Sequence, residues 1–150
     1  MKWSKDNSIQ LSKVCVGVFA AAAVVFAVLF PYVAGDFAVR RGLDPVMGRL
    51  YMMFSFYSLL VPSFAAFWFL LRLLVNISRG QVFVEANVRC LRLLSWACFL
   101  AAGICVVSAF YYISYWFVAA MAGFMGLILR VVKNVFAEAV AIKQENDFTI

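Results

Sequence analysis

Three groups of side chains could carry chemistry in this chain of 150 residues: the cysteines, a few carboxylates and a set of arginines. Cys15, Cys90, Cys98 and Cys105 include no CxxC pair. Cys90, Cys98 and Cys105 fall roughly on one stripe of a single helix. At that spacing their Cα atoms are too far apart for a disulfide. A metal centre would need further ligands close by, yet the chain has no histidine and its apolar runs hold no carboxylate. The cysteines therefore read as small apolar packing residues. Without histidine the chain also lacks the commonest general base and the usual physiological pH switch. Asp36 and Asp44 lie in a short loop, where solubility and the Asp44–Pro45 turn account for them. No catalytic, cofactor or metal-ligating set emerges, and the expectation is a protein without enzymatic activity.

The arginines are more informative. The stretch RGQVFVEANVRCLR, residues 79–92, carries Arg79, Arg89 and Arg92 between two strongly apolar blocks. Arg72 and Asn76 are four apart, as are Arg130 and Asn134, so each pair shares a helix face. An arginine about one turn inside an apolar span can extend its guanidinium to the headgroups, or it can line a cavity. With Phe83, Asn87, Glu145 and Asp147, these residues form the candidate site: a surface for a cytosolic partner or for lipid headgroups. Basic patches also serve nucleic acids, but here they sit at helix ends against lipid, and direct nucleic-acid binding is not expected.

The elements that position these residues follow from hydropathy. The chain is 67% hydrophobic and 13% charged, against about 25% charged in soluble domains. Lipid must therefore be the solvent for much of it. Val14–Gly35 and Leu50–Leu71 are charge-free runs of 22 residues each, which suits one membrane helix of about 20. The first is longer than the apolar core of a cleavable signal, so it reads as a span. Pro62 inside the second is tolerable with a kink. Leu93–Leu129 is charge-free over 37 residues, and as one helix it would be about 55 Å long, nearly twice the hydrocarbon thickness. Its middle, FYYISYWF, has the tyrosines and tryptophan of a membrane interface. The run is read as two helices with a turn near Tyr112–Tyr115.

The expected architecture is thus an all-α membrane protein in which four transmembrane helices form two antiparallel hairpins. The expected spans are 14–34, 50–75, 93–112 and 116–137, with a loop over 76–92 and a tail over 138–150, all in one membrane domain. Lys2, Lys5, Lys13, Arg72, Arg79, Arg89, Arg92, Arg130, Lys133 and Lys143 fall on one side, and Arg40, Arg41 and Arg49 on the other. By the positive-inside rule both termini and the 76–92 loop face the cytoplasm of a cell membrane. The net charge of +6 is then a topology signal plus attraction to anionic lipid.

Finer features remain readable. LRLLVN and LRVVKN end the second and fourth helices alike, which is compatible with a duplicated hairpin or with chance. Ala119–Gly123 and Ala122–Gly126 on the fourth helix, and Gly17–Ala21 and Ala23–Ala27 on the first, supply small residues for close packing. Ser55, Ser58 and Ser63 suit interhelical hydrogen bonds. Gly80 suits a helix-terminating position, after which Phe83, Asn87, Cys90 and Leu94 should face inward while Arg89 and Arg92 face out. The tail KQENDFTI combines Glu145 and Asp147 with Phe148 and Ile150, and is expected to fold back onto Arg79, Arg89 or Arg92.

The loop ISRGQVFVEANVRCLR, followed two spans later by ENDFTI, resembles a bacterial family of short four-span membrane proteins, domain of unknown function 2975. The resemblance rests on Gly80, Phe83 and Asn87 with the arginine-containing helix start, and on the Glu145–Ile150 tail. Val82 stands where the family often has proline. The resemblance implies an integral membrane protein, frequently encoded beside a small helix-turn-helix regulator, and brings no catalytic residue.

Two functional readings follow. The first is a regulatory or sensory membrane protein whose basic loop and acidic tail engage a small cytosolic DNA-binding regulator. The second is a small transporter or channel component acting as a homo-oligomer, although no span carries the carboxylate a proton-coupled carrier would use. In either reading anionic headgroups are the expected lipid partners, and no cofactor is expected.

Overall fold

In the computed structural model the backbone is described for residues 5–40, 42 and 44–148, and the side chains for 7–40, 42 and 44–146. The described chain is helical: α1 (Lys5–Arg40), α2 (Pro45–Ser78), α3 (Glu85–Ala109) and α4 (Ser114–Phe148). All four are long and apolar enough to cross a membrane. The protein is a multi-pass membrane protein.

The helices outrun the charge-free runs because a charged residue limits burial in lipid without stopping a helix. α1 has 36 residues, about 54 Å at 1.5 Å per residue. Residues 85–92 of the expected loop form the first turns of α3, so only residues 79–84 link α2 to α3. The α3–α4 break falls at residues 110–113, two positions before the aromatic turn expected from sequence. There Tyr111 donates from its hydroxyl to the Tyr51 carbonyl at 3.1 Å, and the two rings stack at 5.4 Å.

Two prolines sit inside helices without ending them. Pro31 has no N–H to offer the Ala27 carbonyl one turn earlier. The Tyr57 hydroxyl of α2 donates to that carbonyl instead, at 2.9 Å. At its own start α2 is capped by Asp44, whose Oδ1 accepts from the Val46 and Met47 amides at 2.9 and 2.8 Å, with Pro45 in the first turn.

Helices adjacent in sequence pack on one another. Polar contacts join each of these pairs. Arg49 Nη2 reaches the Pro31 carbonyl at 3.0 Å, Ser55 pairs with Ser108 at 2.6 Å, and Ser95 Oγ donates to the Gly126 carbonyl at 2.8 Å. α3 is the interior helix, with ten buried residues including Asn87, Cys90, Leu94, Cys105 and Ser108. A core of Leu73, Cys90 and Leu91 packs against Ile77, Leu129, Val132 and Phe136 of the flanking helices. The backbone of α1 approaches closely only that of α2.

Small residues set the α3–α4 approach. A Cβ placed on Gly126 would lie 3.1–3.2 Å from three carbons of the Phe99 ring, and Ala119 is buried. On α1 the expected Gly17–Ala21 pair fails, while Ala23 and Ala27 are half-buried. Gly17 has nothing near the position of its missing Cβ, and Gly17 and Ala21 are both exposed. Of the three serines only Ser55 bonds across helices, since Ser63 donates to the Leu59 carbonyl of its own helix at 2.7 Å. The Ser55 and Ser63 hydroxyls are thus both engaged within the protein.

Candidate functional site

The α2–α3 link is built around two asparagines. Gly80 adopts φ +77°, a left-handed value that glycine takes without a side-chain clash. This ends α2 in a Schellman turn: the Gly80 amide donates to the Ile77 carbonyl at 3.0 Å, and the Gln81 amide donates to the Asn76 carbonyl at 3.0 Å. Asn87, on the first turn of α3, is fully buried. Its Nδ2 donates to the carbonyls of Gln81 and Val82, each at 2.7 Å. Its Oδ1 accepts from Asn76 Nδ2 at 2.8 Å. Both amide hydrogens and the side-chain oxygen of Asn87 are thereby engaged, as a buried amide requires.

Around this lock the face expected from sequence forms, with one exception. Asn87, Cys90 and Leu94 are buried, while Arg89 and Arg92 are exposed. Phe83 stays 45% exposed and leans on Phe136 of α4 with ring centroids 5.9 Å apart. At the same end Lys13 of α1 donates to Ser78 Oγ at 2.9 Å.

A polar seam runs along one side of α3 and α4. At its outer end Glu85, Arg89 and Arg92 face Ala137, Ala141 and Gln144 across a groove of about 380 Å³. About one turn further along, Arg92, Ser95 and Trp96 face Arg130, Lys133 and Asn134 across a groove of about 290 Å³. Arg92 belongs to both. The Arg130 guanidinium carbon lies 5.1 Å from the centre of the Trp96 ring and 5.4 Å from that of Phe99, within cation–π range. No acidic residue lines the inner groove.

The structure thus joins Asn76 with Asn87, and Arg92 with Arg130 and Asn134. Arg72 and Arg79 are exposed and line neither groove. The matching Arg–Asn pairs at the ends of α2 and α4 have different surroundings: Asn76 sits in the lock, whereas Asn134 is exposed at the groove. Glu145 does not lie on a folded-back tail, because α4 continues as helix to Phe148. Gln144 meets Arg89 and Arg92 from that helix. A strongly helix-forming AEAVAIKQE stretch carries α4 on, so no turn is available for the chain to reverse. The Asp147 side chain and the position of Ile150 lie outside the described residues.

Ser95, Trp96, Phe99 and Lys133 were not picked out by reading along the chain. Trp96 is four residues after Arg92, and Lys133 three after Arg130, so the one-face spacing was visible. That the two faces meet each other is a tertiary fact.

Residues 37–150, from the end of α1 through α4, match the model of the family described as "Protein of unknown function (DUF2975)". The chain belongs to that family. The DUF2975 match contains both asparagines of the lock and every residue of the polar seam, while most of α1 precedes it. No curated protein and no solved structure shows significant similarity to the chain.

Proposed function

We propose that this DUF2975 protein is a non-enzymatic regulatory or sensory protein of the cell membrane, with both termini and the α2–α3 link in the cytoplasm. The four helices act as two back-to-back antiparallel hairpins. The distribution of positive charge supports that orientation: ten of the thirteen lysines and arginines fall at the end that holds the link.

One observation carries the functional reading. The Asn76–Asn87 lock fixes a short link whose backbone would otherwise be free to move, and leaves Arg79 and Arg89 exposed beside it. Exposed charges on a rigid support suit recognition of a soluble partner, since little order must be gained on binding. A small cytosolic DNA-binding regulator is the partner proposed.

The test is affinity purification of the tagged full chain from membranes of the producing cell, beside an Arg79→Glu/Arg89→Glu variant. A DNA-binding protein recovered with the wild type and lost with the variant supports the reading. Recovery of lipid alone, or equal recovery with both chains, overturns it. A tag after Ile150 that is reachable from outside intact cells would overturn the orientation.

A further inference from the structure

The inner groove of the α3–α4 seam has features that contact with a soluble protein does not require. Three cations, Arg92, Arg130 and Lys133, converge with the Asn134 amide on a groove of about 290 Å³ that no carboxylate lines. Among the described residues none of the three cations has an ion-pair partner. Like charges held on facing helices repel, and a bound anion relieves that repulsion. Arg130 is steadied by Trp96 and Phe99. A ring face takes up none of its N–H groups in a directed bond to oxygen, so they remain available to an oxyanion.

We infer that this groove binds the phosphate of an anionic phospholipid headgroup. Arg92, Arg130 and Lys133 supply the charge, and Asn134 a neutral donor. The source of the phosphate is argued from what flanks the groove. On α3, Leu93, Trp96 and Leu100 follow one another at spacings of three and four; on α4, Arg130 and Val131 lie three and four residues after Leu127, and Asn134 four after Arg130. Leu93, Leu100, Leu127 and Val131 are all exposed. A phosphate seated between Arg92 and Arg130 therefore has Leu100 and Leu127 leading from it toward the middle of the bundle, where acyl chains lie, with Leu93 and Val131 beside it. Trp96 lines the groove beside Arg130, and tryptophan is a residue enriched at the membrane–water boundary. A free phosphate ion would use the cations and leave this apolar track without a role.

This inference rests on the membrane-spanning fold alone. It does not depend on a cytosolic partner, so either idea can fail without the other. The test is native mass spectrometry of the full chain in detergent, titrated with phosphatidylglycerol and phosphatidylcholine of matched acyl chains. Wild type should take its first phosphatidylglycerol on the order of a hundredfold more tightly than phosphatidylcholine, because three basic residues at about 1 kcal/mol each near an anionic headgroup sum to about 3 kcal/mol. Arg130→Gln/Lys133→Gln, which leaves only Arg92, should cut that preference to about fivefold, while Arg72→Gln, outside the groove, should keep it. Equal affinity of wild type for the two lipids overturns the site. So does a loss in Arg72→Gln as large as in the double variant, which would mean diffuse surface charge. Displacement of the bound phosphatidylglycerol by millimolar inorganic phosphate would assign the groove to soluble phosphate and overturn the lipid. If the double variant loses its helical circular dichroism, the wild-type lipid comparison and the phosphate competition decide.

Discussion

Asn76 donates its side-chain amide to Asn87 across 2.8 Å, tying the last turn of α2 to the first turn of α3. The bond closes a circuit, because the carbonyl of Asn76 also accepts from the Gln81 amide, and the carbonyl of Gln81 accepts from Asn87.

Removing one member should therefore strand the others. Asn87→Leu leaves the Gln81 and Val82 carbonyls and the Asn76 amide without partners inside the protein. The expected cost is about 2–4 kcal/mol, since each stranded buried group costs about 1–3 and part is recovered by water. Thermal unfolding in detergent should show it, with cleavage appearing at residues 80–84 under limited proteolysis. An unchanged melting temperature would mean the circuit contributes nothing to stability.

A side chain at Gly126 should wedge α3 and α4 apart. Gly126→Ala places a methyl 3.1–3.2 Å from the Phe99 ring, and overpacking of this kind costs about 1–3 kcal/mol. Gly123→Ala is the matched control, because its new methyl would stand at an ordinary 3.9 Å from Ala102. Unfolding by sodium dodecyl sulfate should separate the two variants, and equal behaviour would contradict the packing described.

Ser55 and Ser108 should couple weakly. A double-mutant cycle with alanine is expected to give about 0.6 kcal/mol, the average for hydrogen bonds between membrane helices, and no more than about 1.7. The bond is short at 2.6 Å and buried. Ser108 nonetheless has a second acceptor, the Ile104 carbonyl at 2.9 Å, which limits the loss when Ser55 is removed.

Tyr57 and Pro31 should be linked although they do not bond to each other. Tyr57→Phe exposes the Ala27 carbonyl that Pro31 leaves without a helical donor, at about 1 kcal/mol. In a Pro31→Ala background the helix supplies that donor itself, so the same tyrosine substitution should cost much less. Chemical denaturation of the four proteins measures the difference; an equal cost in both backgrounds would refute the repair.

Much of the fold was legible because lipid imposes a simple rule: long charge-free runs become helices. The tyrosines and tryptophan of residues 110–117 located the α3–α4 break to within two positions. Helix lengths were not legible from charge-free runs, because nothing in Arg72, Arg89 or Arg130 stops a helix. At the site, Gly80, Asn87 and the outward arginines could be read from local spacing. The lock could not, because residues 76 and 87 meet only after the chain turns at Gly80. The inner groove was hidden for the same reason. Arg92 and Arg130 are far apart in sequence and become neighbours only once α3 and α4 pack through Ser95 and Gly126. The reversed tail was the wrong expectation, since opposite charge suggested a fold-back where the helix-forming sequence instead carries α4 on to Phe148.

Among the described residues the backbone of the first helix packs closely on that of α2 alone, with its Phe37 ring edge-on to Tyr112 at 5.8 Å, while the Leu73, Cys90 and Leu91 core is built from the other three helices. Peeling it away would bare the α2 flank and break the Tyr57 and Arg49 bonds to its backbone, but would leave Leu73, Cys90, Leu91 and their packing intact. The molecule is thus a three-helix body with an outrigger, and a change in how that outrigger sits could be felt at Ser78, through Lys13, without the body having to unpack.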